Sequence, residues 1–325
     1  MVRVGLIGCG KWGRNHAKVW SELPCTFVGI ADPNPSVEHY AQQLKTRYFH
    51  SIDDLLPLVD AVSVAVPTAL HFGTVRKALD MGLHVLVEKP VTLHSSETAQ
   101  LDEYAEAQKL ILSVGYIFRF HPAVQIVRRN ISRLGKIHYI AARYVGGQNR
   151  LWADSGAILN FGIHLIDILN FILHERPVRV YAKKQNILSP EREDSASVTL
   201  VYRAFYATLE LSCIHPEKSR DLWVVGERQK IHADFNQNIV SVYGGDVNSP
   251  SVQDGNLPVQ RITLDNINPL QDQLAYFLNR VSAHKPATYV ALDNISREEA
   301  DTTRICEKAI QSALAGIEID LVAGV

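Results

Sequence analysis

Up to residue 120, short apolar runs alternate with segments of helical spacing. The runs are Val2–Ile7, Thr26–Ala31, Ala61–Val66, His84–Val87 and Ile111–Gly115, with a weaker one at Arg47–Phe49. The helical segments are Lys11–Glu22, Pro35–Leu44, Leu70–Met81 and Ser95–Lys109, and Pro35 suits a first helical turn. Strand–helix alternation with β-branched strands predicts an α/β domain built on a doubly wound parallel sheet. After residue 120 the pattern changes. A helix over Pro122–Arg133 and a long apolar helix over Gly156–Leu173 are followed by period-two segments at Val178–Asn186, Ser195–Tyr202, Ala204–Cys213, Arg220–Gly226, Lys230–Phe235, Ile239–Tyr243 and Val259–Leu264. Two helices, Pro269–Ala283 and Ser296–Ala315, come last. Strands in succession predict a largely antiparallel sheet, so residues 121–325 read as a second, α+β domain beside a first of residues 1–120.

Composition narrows the classes. Of 325 residues, 46% are hydrophobic and 21% charged, as in ordinary globular proteins. Lys plus Arg (33) nearly balances Asp plus Glu (34), which argues against nucleic acid as a partner. No apolar run approaches the ~20 residues of a membrane span. Cys9, Cys25, Cys213 and Cys306 form no Cys-x-x-Cys pair and no metal-ligand spacing. They read as free thiols in a reducing, cytoplasmic compartment, with no metal site.

The chemistry begins at Gly8-Cys9-Gly10-Lys11-Trp12-Gly13, a Gly-x-Gly-x-x-Gly turn between an apolar strand and a helix. Gly8 permits the tight turn, Gly10 lets backbone approach a pyrophosphate, and Gly13 lets the helix pack on the strand. The phosphates would meet the N–H groups at the helix start. Asp32 ends the second run, where a carboxylate accepts hydrogen bonds from an adenosine ribose. No Lys or Arg follows it before Lys45, which favours NAD over NADP. Two further segments end strands and so face the nicotinamide end of a bound dinucleotide. One is Pro67-Thr68-Ala69-Leu70-His71, and the other is Glu88-Lys89-Pro90. Lys89, partly desolvated there, is a candidate to hold or relay a proton.

The helix Gly156–Leu169 is apolar nearly all round except for Asn160, His164 and Asp167, which share one stripe. A buried polar stripe is either hydrogen-bonded or used. Histidine as a residue type titrates near neutrality, so His164 is a candidate acid–base group, with Asp167 one turn away to orient it.

These motifs, with Gly115–Pro122 and the Ser312-Ala313-x-x-Gly316 ending, resemble the Gfo/Idh/MocA family, named for glucose–fructose oxidoreductase and inositol dehydrogenase. The resemblance covers nearly the whole chain. It implies an NAD-dependent dehydrogenase in which Lys89 and His164 flank substrate and nicotinamide. Many members carry aspartate two residues before the Gly-x-His; here that residue is Asn160. Asparagine at this place resembles the subgroup that oxidises nucleotide-linked sugars at the 3-hydroxyl. A free polyol or monosaccharide dehydrogenase, and a non-catalytic NAD-binding regulator, are the alternatives.

The substrate expectation follows. Arg143, Gln148, Asn149, Arg150 and Trp152 mix anion binders with a flat apolar face, and Arg119 and His121 follow the sixth strand. Arginine's fork suits a substrate pyrophosphate. The expected substrate is a UDP-linked N-acetylhexosamine or its uronate, oxidised at C3. One helix covers one face of the second sheet. The other face is expected to show Leu209, Leu211, Leu222 and Val224 and to pair copies into a homodimer or homotetramer.

Overall fold

Six short strands bury both faces and so need helices on each side. They are β1 (Arg3–Ile7), β2 (Thr26–Ala31), β3 (Arg47–Phe49), β4 (Ala61–Val64), β5 (His84–Val87) and β6 (Leu112–Val114). All pair in parallel, in the order β3-β2-β1-β4-β5-β6. This is the doubly wound order with its crossover between β1 and β4, where ligands bind beyond the strands' carboxyl ends. The intervening helices are α1 (Lys11–Glu22), α2 (Val37–Gln43), α3 (Ile52–Leu55), α4 (His71–Asp80) and α5 (Ser95–Ala107). All six expected strands form, three of them with the expected bounds and the others trimmed at one or both ends, and the one-turn α3 goes beyond the sequence pattern.

The computed structural model describes residues 1–147, 155–245, 257–283 and 295–322. It divides into two units, residues 1–117 with 268–301, and residues 118–267 with 302–325. The expected single boundary at residue 120 therefore needs correction. The helix Pro269–Ser282 belongs to the first unit, because its apolar stripe Leu270, Leu274, Phe277, Leu278 and Val281 packs with Val4, Val19, Trp20, Ala61, Leu86 and Ile111. Phe277 meets Trp20 edge-on at 6.4 Å. The Gln273 amide donates to the Val114 carbonyl, capping the sheet at β6. Sequence distance hid this return, since a strand-rich segment of about 150 residues, numbers 118–267, intervenes.

The second unit is a nine-stranded sheet. Its strands are β7 (Ile137–Val145), β8 (Arg179–Gln185), β9 (Ser195–Val201), β10 (Tyr206–Ser212), β11 (Ser219–Gly226), β12 (Gln229–Asp234), β13 (Ile239–Gly244), β14 (Val259–Thr263) and β15 (Ile319–Asp320). The order is β14-β13-β12-β11-β7-β10-β9-β8-β15, antiparallel except where β10 runs parallel to β7. The central strand, β7, was not expected from the sequence. Its inward residues Ile140, Ala142 and Tyr144 alternate with Tyr139, Ala141 and Arg143, and the small and charged members mask the period. Helices α6 (Pro122–Asn130) and α7 (Ile163–Leu173) cover the inward face, and residues Ile158–Gly162 form a π-helical turn leading into α7. Gly162 permits that turn to press on β10, since a Cβ there would stand 3.0 Å from Leu211. At the chain's end, Ser312 accepts from Ala182 N–H on β8 at 3.0 Å, and Gly316, with φ of 73°, turns the helix Ile295–Ala315 back toward β15.

The expected outward leucines need correction too. Leu209, Leu211, Leu222 and Val224 are 1% exposed or less and face the helices. Strand parity decides this: in register with inward Ala142 lie Leu209 and Leu222. The other face carries Tyr139 stacked on Tyr206 at 6.1 Å, and Trp223 stacked on His232 and Tyr243 at 4.2 and 5.7 Å. No described helix is long and apolar enough to cross a membrane.

Because Phe277 lies in the core of the first unit, Phe277→Ala should lower stability by about 3–5 kcal/mol in urea unfolding. A loss below about 1 kcal/mol would show that this helix is not part of that core.

Candidate active site

In the first unit the glycine turn is built around close backbone approaches. Gly8 has φ of 89°, and a Cβ on it would meet the Ala65 carbonyl and Val66 nitrogen at 2.8 Å. A Cβ on Gly13 would stand 2.1 Å from the Gly8 carbonyl oxygen. Gly10 differs: nothing lies within 4 Å of its absent side chain. It is the N-cap of α1, no side chain caps the helix, and no acid occupies its first turn. Exposed N–H groups with a positive dipole end and open space are what a pyrophosphate requires. Lys11 and Trp12 follow on the exposed side of the turn. Asp32 accepts from Cys9 N–H at 2.7 Å and from Asn34 N–H at 2.8 Å. Its carboxylate therefore braces the glycine turn as well as standing where a ribose would lie. Arg14, a cation that the sequence reading did not weigh, lies over the Tyr40 ring at 4.5 Å. Burial pushes the Cys9 thiol up to about 11, so it stays protonated near neutrality.

The loops after β4 and β5 are tied together. His71 is 1% exposed, with Nδ1 2.9 Å from the Pro90 carbonyl oxygen and Nε2 2.9 Å from that of Val66. Its expected contact with cofactor is corrected by this burial: it joins the two loops that Pro67, Thr68 and Lys89 belong to. Glu88 is likewise turned inward. Its Oε1 is 2.9 Å from His16 Nε2, while His16 Nδ1 is 2.7 Å from Ser63 Oγ. Burial pushes the Glu88 carboxyl up, but hydrogen bonds from His16 and the Trp12 side chain, with the Lys89 charge, outweigh it and hold it below the usual range. Gly115 makes room for it, since a Cβ there would meet Oε1 at 2.7 Å. Lys89 emerges half-buried from this anchored turn. A dinucleotide fits these residues, with Gly10 and the α1 terminus for phosphates and Asp32 for ribose, and when bound it supplies the hydride acceptor.

In the second unit His164 is 7% exposed. Its ring stacks on Tyr144 at 5.6 Å and 8° and meets the edge of Phe118 at 5.3 Å. Tyr144 stacks in turn on Phe161 at 4.6 Å. Asn160 donates to Ser155 Oγ at 2.7 Å and to the Gly156 carbonyl at 3.1 Å. Glu193 fixes the start of this segment: its carboxylate accepts from Ile158 N–H at 2.9 Å, and Gly156 leaves it room. His121 accepts from Ala123 N–H, capping α6, and packs against Phe118 and Phe235.

The expected arginines divide three ways. Arg119 is 1% exposed, and its guanidinium donates from Nε to both oxygens of Asp167, at 2.9 and 3.1 Å. That pair corrects the expectation that Arg119 binds a substrate anion, because its charge is already neutralised inside the unit. Arg143 points to the other face of the sheet from Tyr144 and pairs with Glu210 at 2.8 Å, so it too is corrected. Gln148, Asn149, Arg150 and Trp152 lie outside the described residues. The sequence reading missed Tyr144, Phe161, Phe118, Lys218 and Arg220. For Tyr144 and Arg220 the signal was period-two alternation on β7 and β11, legible only once β7 is recognised as a strand.

Residues 2–116 match the oxidoreductase family with an NAD-binding Rossmann fold, and residues 125–232 match the GFO/IDH/MocA C-terminal domain. The chain belongs to the Gfo/Idh/MocA oxidoreductase family. It is similar to a UDP-N-acetylglucosamine 3-dehydrogenase of Acidithiobacillus ferrooxidans, at 29% identity over 88% of this chain and 90% of that one. A solved structure of that enzyme superposes with a TM-score of 0.83 over 97% of each chain, at 28% identity. Similarity extends to a glucose-6-phosphate 3-dehydrogenase of Bacillus subtilis, 26% identical over 65% of each chain. It also extends to a scyllo-inositol 2-dehydrogenase of the same organism, 29% identical over 53% of this chain and 54% of that one. These relatives are dehydrogenases acting on sugar or cyclitol hydroxyls. This chain is a family oxidoreductase with a Rossmann unit for NAD.

Within that family frame Arg119 reads as a structural partner. Arg119→Ala would leave the Asp167 carboxylate buried and uncompensated, which typically costs about 3–5 kcal/mol. Thermal and urea unfolding should show that loss. Full stability with a raised substrate KM would return Arg119 to the substrate.

Proposed function

We propose that this protein is an NAD-dependent dehydrogenase of a nucleotide-linked sugar, acting on C3 of a UDP-linked N-acetylhexosamine or its uronate. One observation carries the reading: an amide, Asn160, stands in the buried segment before His164, and it is held by Ser155 and Gly156. An amide adds no charge beside the imidazole and offers Oδ1 as an acceptor for a sugar hydroxyl. The likeness to UDP-N-acetylglucosamine 3-dehydrogenase over nearly the whole chain supports it.

In this reading a secondary alcohol loses hydride to the nicotinamide while its hydroxyl proton passes to a base. His164 is that base, held at a fixed angle by Tyr144 and Phe118. Lys89 stabilises charge on the substrate oxygen, its backbone fixed by the Glu88–His16 anchor. Asp32, with its partners Cys9 and Asn34, disfavours a 2′-phosphate and so selects NAD over NADP.

The test supplies UDP-N-acetylglucosamine, its uronate, glucose 6-phosphate, myo-inositol and glucose, each with NAD or NADP, and follows absorbance of the reduced cofactor. Turnover of a UDP-sugar with NAD is expected. His164→Ala should lower it about 10²–10⁴-fold. Turnover of inositol or glucose with no UDP-sugar activity would replace this reading with a free polyol or monosaccharide dehydrogenase. No turnover with any of them would favour a non-catalytic NAD-binding protein.

We also propose that the aromatic sheet face bearing Tyr139, Tyr206, Trp223 and Tyr243 pairs with a second copy. Tyr206 and Tyr139 are 48% and 39% exposed, more than a monomer gains by showing stacked rings to water. Light scattering should give the mass of two or four chains. A monomer at micromolar concentration would overturn it.

A further inference from the structure

Beside His164 the second unit holds a cleft of about 120 Å³ lined by Tyr144, Phe161, Gly146, Gly147, Lys218 and Arg220. We propose that this cleft is an anion subsite, taking the phosphoryl groups of the substrate through Arg220 and Lys218. The inference deepens the reading of the protein as a nucleotide-sugar dehydrogenase and rests on it for the identity of the anion.

The argument starts from strand register. Arg220 is directly opposite Tyr144 on the adjacent strand, so both project to the same, inward face. The guanidinium carbon lies 4.3 Å above the Tyr144 ring. That ring's stacking partner, at 5.6 Å, is His164. Arg220 therefore stands one ring beyond the candidate base.

Among the described residues Arg220 has no carboxylate partner, and its Nε is buried with no hydrogen-bond acceptor. The neighbouring acid, Asp221, projects to the opposite face, where Ser219 Oγ donates to it at 2.8 Å and His232 lies at 3.7 Å. Glu210 is held on that opposite face by Arg143. Lys218, two residues before Arg220, runs along Gly146, with its Cγ 3.5 Å from where a side chain would begin. It too lacks an ion-pair partner among the described residues. A buried guanidinium donor with no acceptor is unfavourable unless a ligand completes it. Two cations without acids, on an aromatic floor and beside two glycines that leave backbone exposed, suit an oxyanion of more than one charge.

The neighbouring cation Arg143 is the control supplied by the fold. It is one residue from Tyr144, equally charged, but neutralised on the far face. Strand register thus places Arg143 against Glu210 on the far face and leaves Arg220 facing the cleft.

The experiment titrates NAD-saturated protein, whose dinucleotide site is filled, with inorganic pyrophosphate, UDP and glucose 6-phosphate by calorimetry. It compares wild type with Arg220→Gln, Arg220→Lys and Lys218→Gln. Binding of pyrophosphate and UDP is expected, with a loss of about tenfold to a hundredfold in Arg220→Gln. Arg220→Lys, which keeps charge but not the fork, should fall between. Lys218→Gln alters an exposed residue, so it reports on the cleft even where Arg220→Gln fails to fold. Binding of glucose 6-phosphate but not UDP, lost in the same variants, keeps the subsite and overturns the nucleotide-sugar reading. Binding unchanged in both Gln variants, or no binding of any probe, overturns the subsite.

Discussion

Burying an ionised carboxylate on an otherwise apolar helix is the costliest single feature of the second unit, and much of its architecture follows from meeting that cost. Asp167 is 0% exposed within α7, whose other side chains are almost all apolar. Arg119, the residue after the chain enters this unit at Phe118, supplies the compensating charge with bidentate geometry. Such a pair adds little net stability over an apolar core, but it is severe to break. Its effect is positional: it admits one rotation of α7 about its axis. With that rotation fixed, Asn170 meets Thr302 at 3.1 Å, and His164 lies flat on Tyr144. Of the stripe read from the sequence as candidate chemistry, Asp167 is thus structural, while His164 stays the candidate base.

The first unit uses carboxylates in the same way. Asp32 and Glu88 both end strands at the ligand-binding edge, and each is engaged by the protein itself. Asp32 holds the glycine turn through Cys9 N–H, and Glu88 is held by His16. A residue at the carboxyl end of a strand is easily assigned to the ligand. Where the side chain is buried, as Glu88 and His71 are, its work is to set the backbone from which Lys89, Pro67 and Thr68 project. In the proposed reading, the groups that would touch a ligand are the more accessible ones between the anchors.

Legibility in the sequence followed the range of the forces involved. The Rossmann strands and the glycine turn were readable because they depend on local periodicity and steric demand at Gly8, Gly10 and Gly13. What failed depended on pairing partners. The helix Pro269–Ser282 packs on β1 and α1 surfaces encoded more than two hundred residues earlier, and no local pattern names its partner. β7 was masked because Ala141, Ala142 and Arg143 blur its alternation, although register with β10 and β11 fixes it in the fold. Once β7 was missed, the parity of Leu209 and Leu222 had no reference, and the outward face was assigned to the wrong side chains. A one-residue change of parity moves every side chain to the other face.

The same parity governs the charges around the candidate site. Arg143 and Arg220 look equivalent in composition, yet one residue of phase separates a paired surface ion from a cation left facing the cleft. Asparagine at position 160 adds no charge to this segment. With Asp167 neutralised by Arg119 and Asp221 turned away, the described wall next to His164 carries a positive excess from Arg220 and Lys218. A neutral polyol gains nothing from such a wall, and partly desolvating cations to bind one would be unfavourable. An anionic sugar derivative offsets that cost. In the proposed reading, the neutral amide of Asn160 and the cations Arg220 and Lys218 form one electrostatic arrangement that favours negative charge in the substrate.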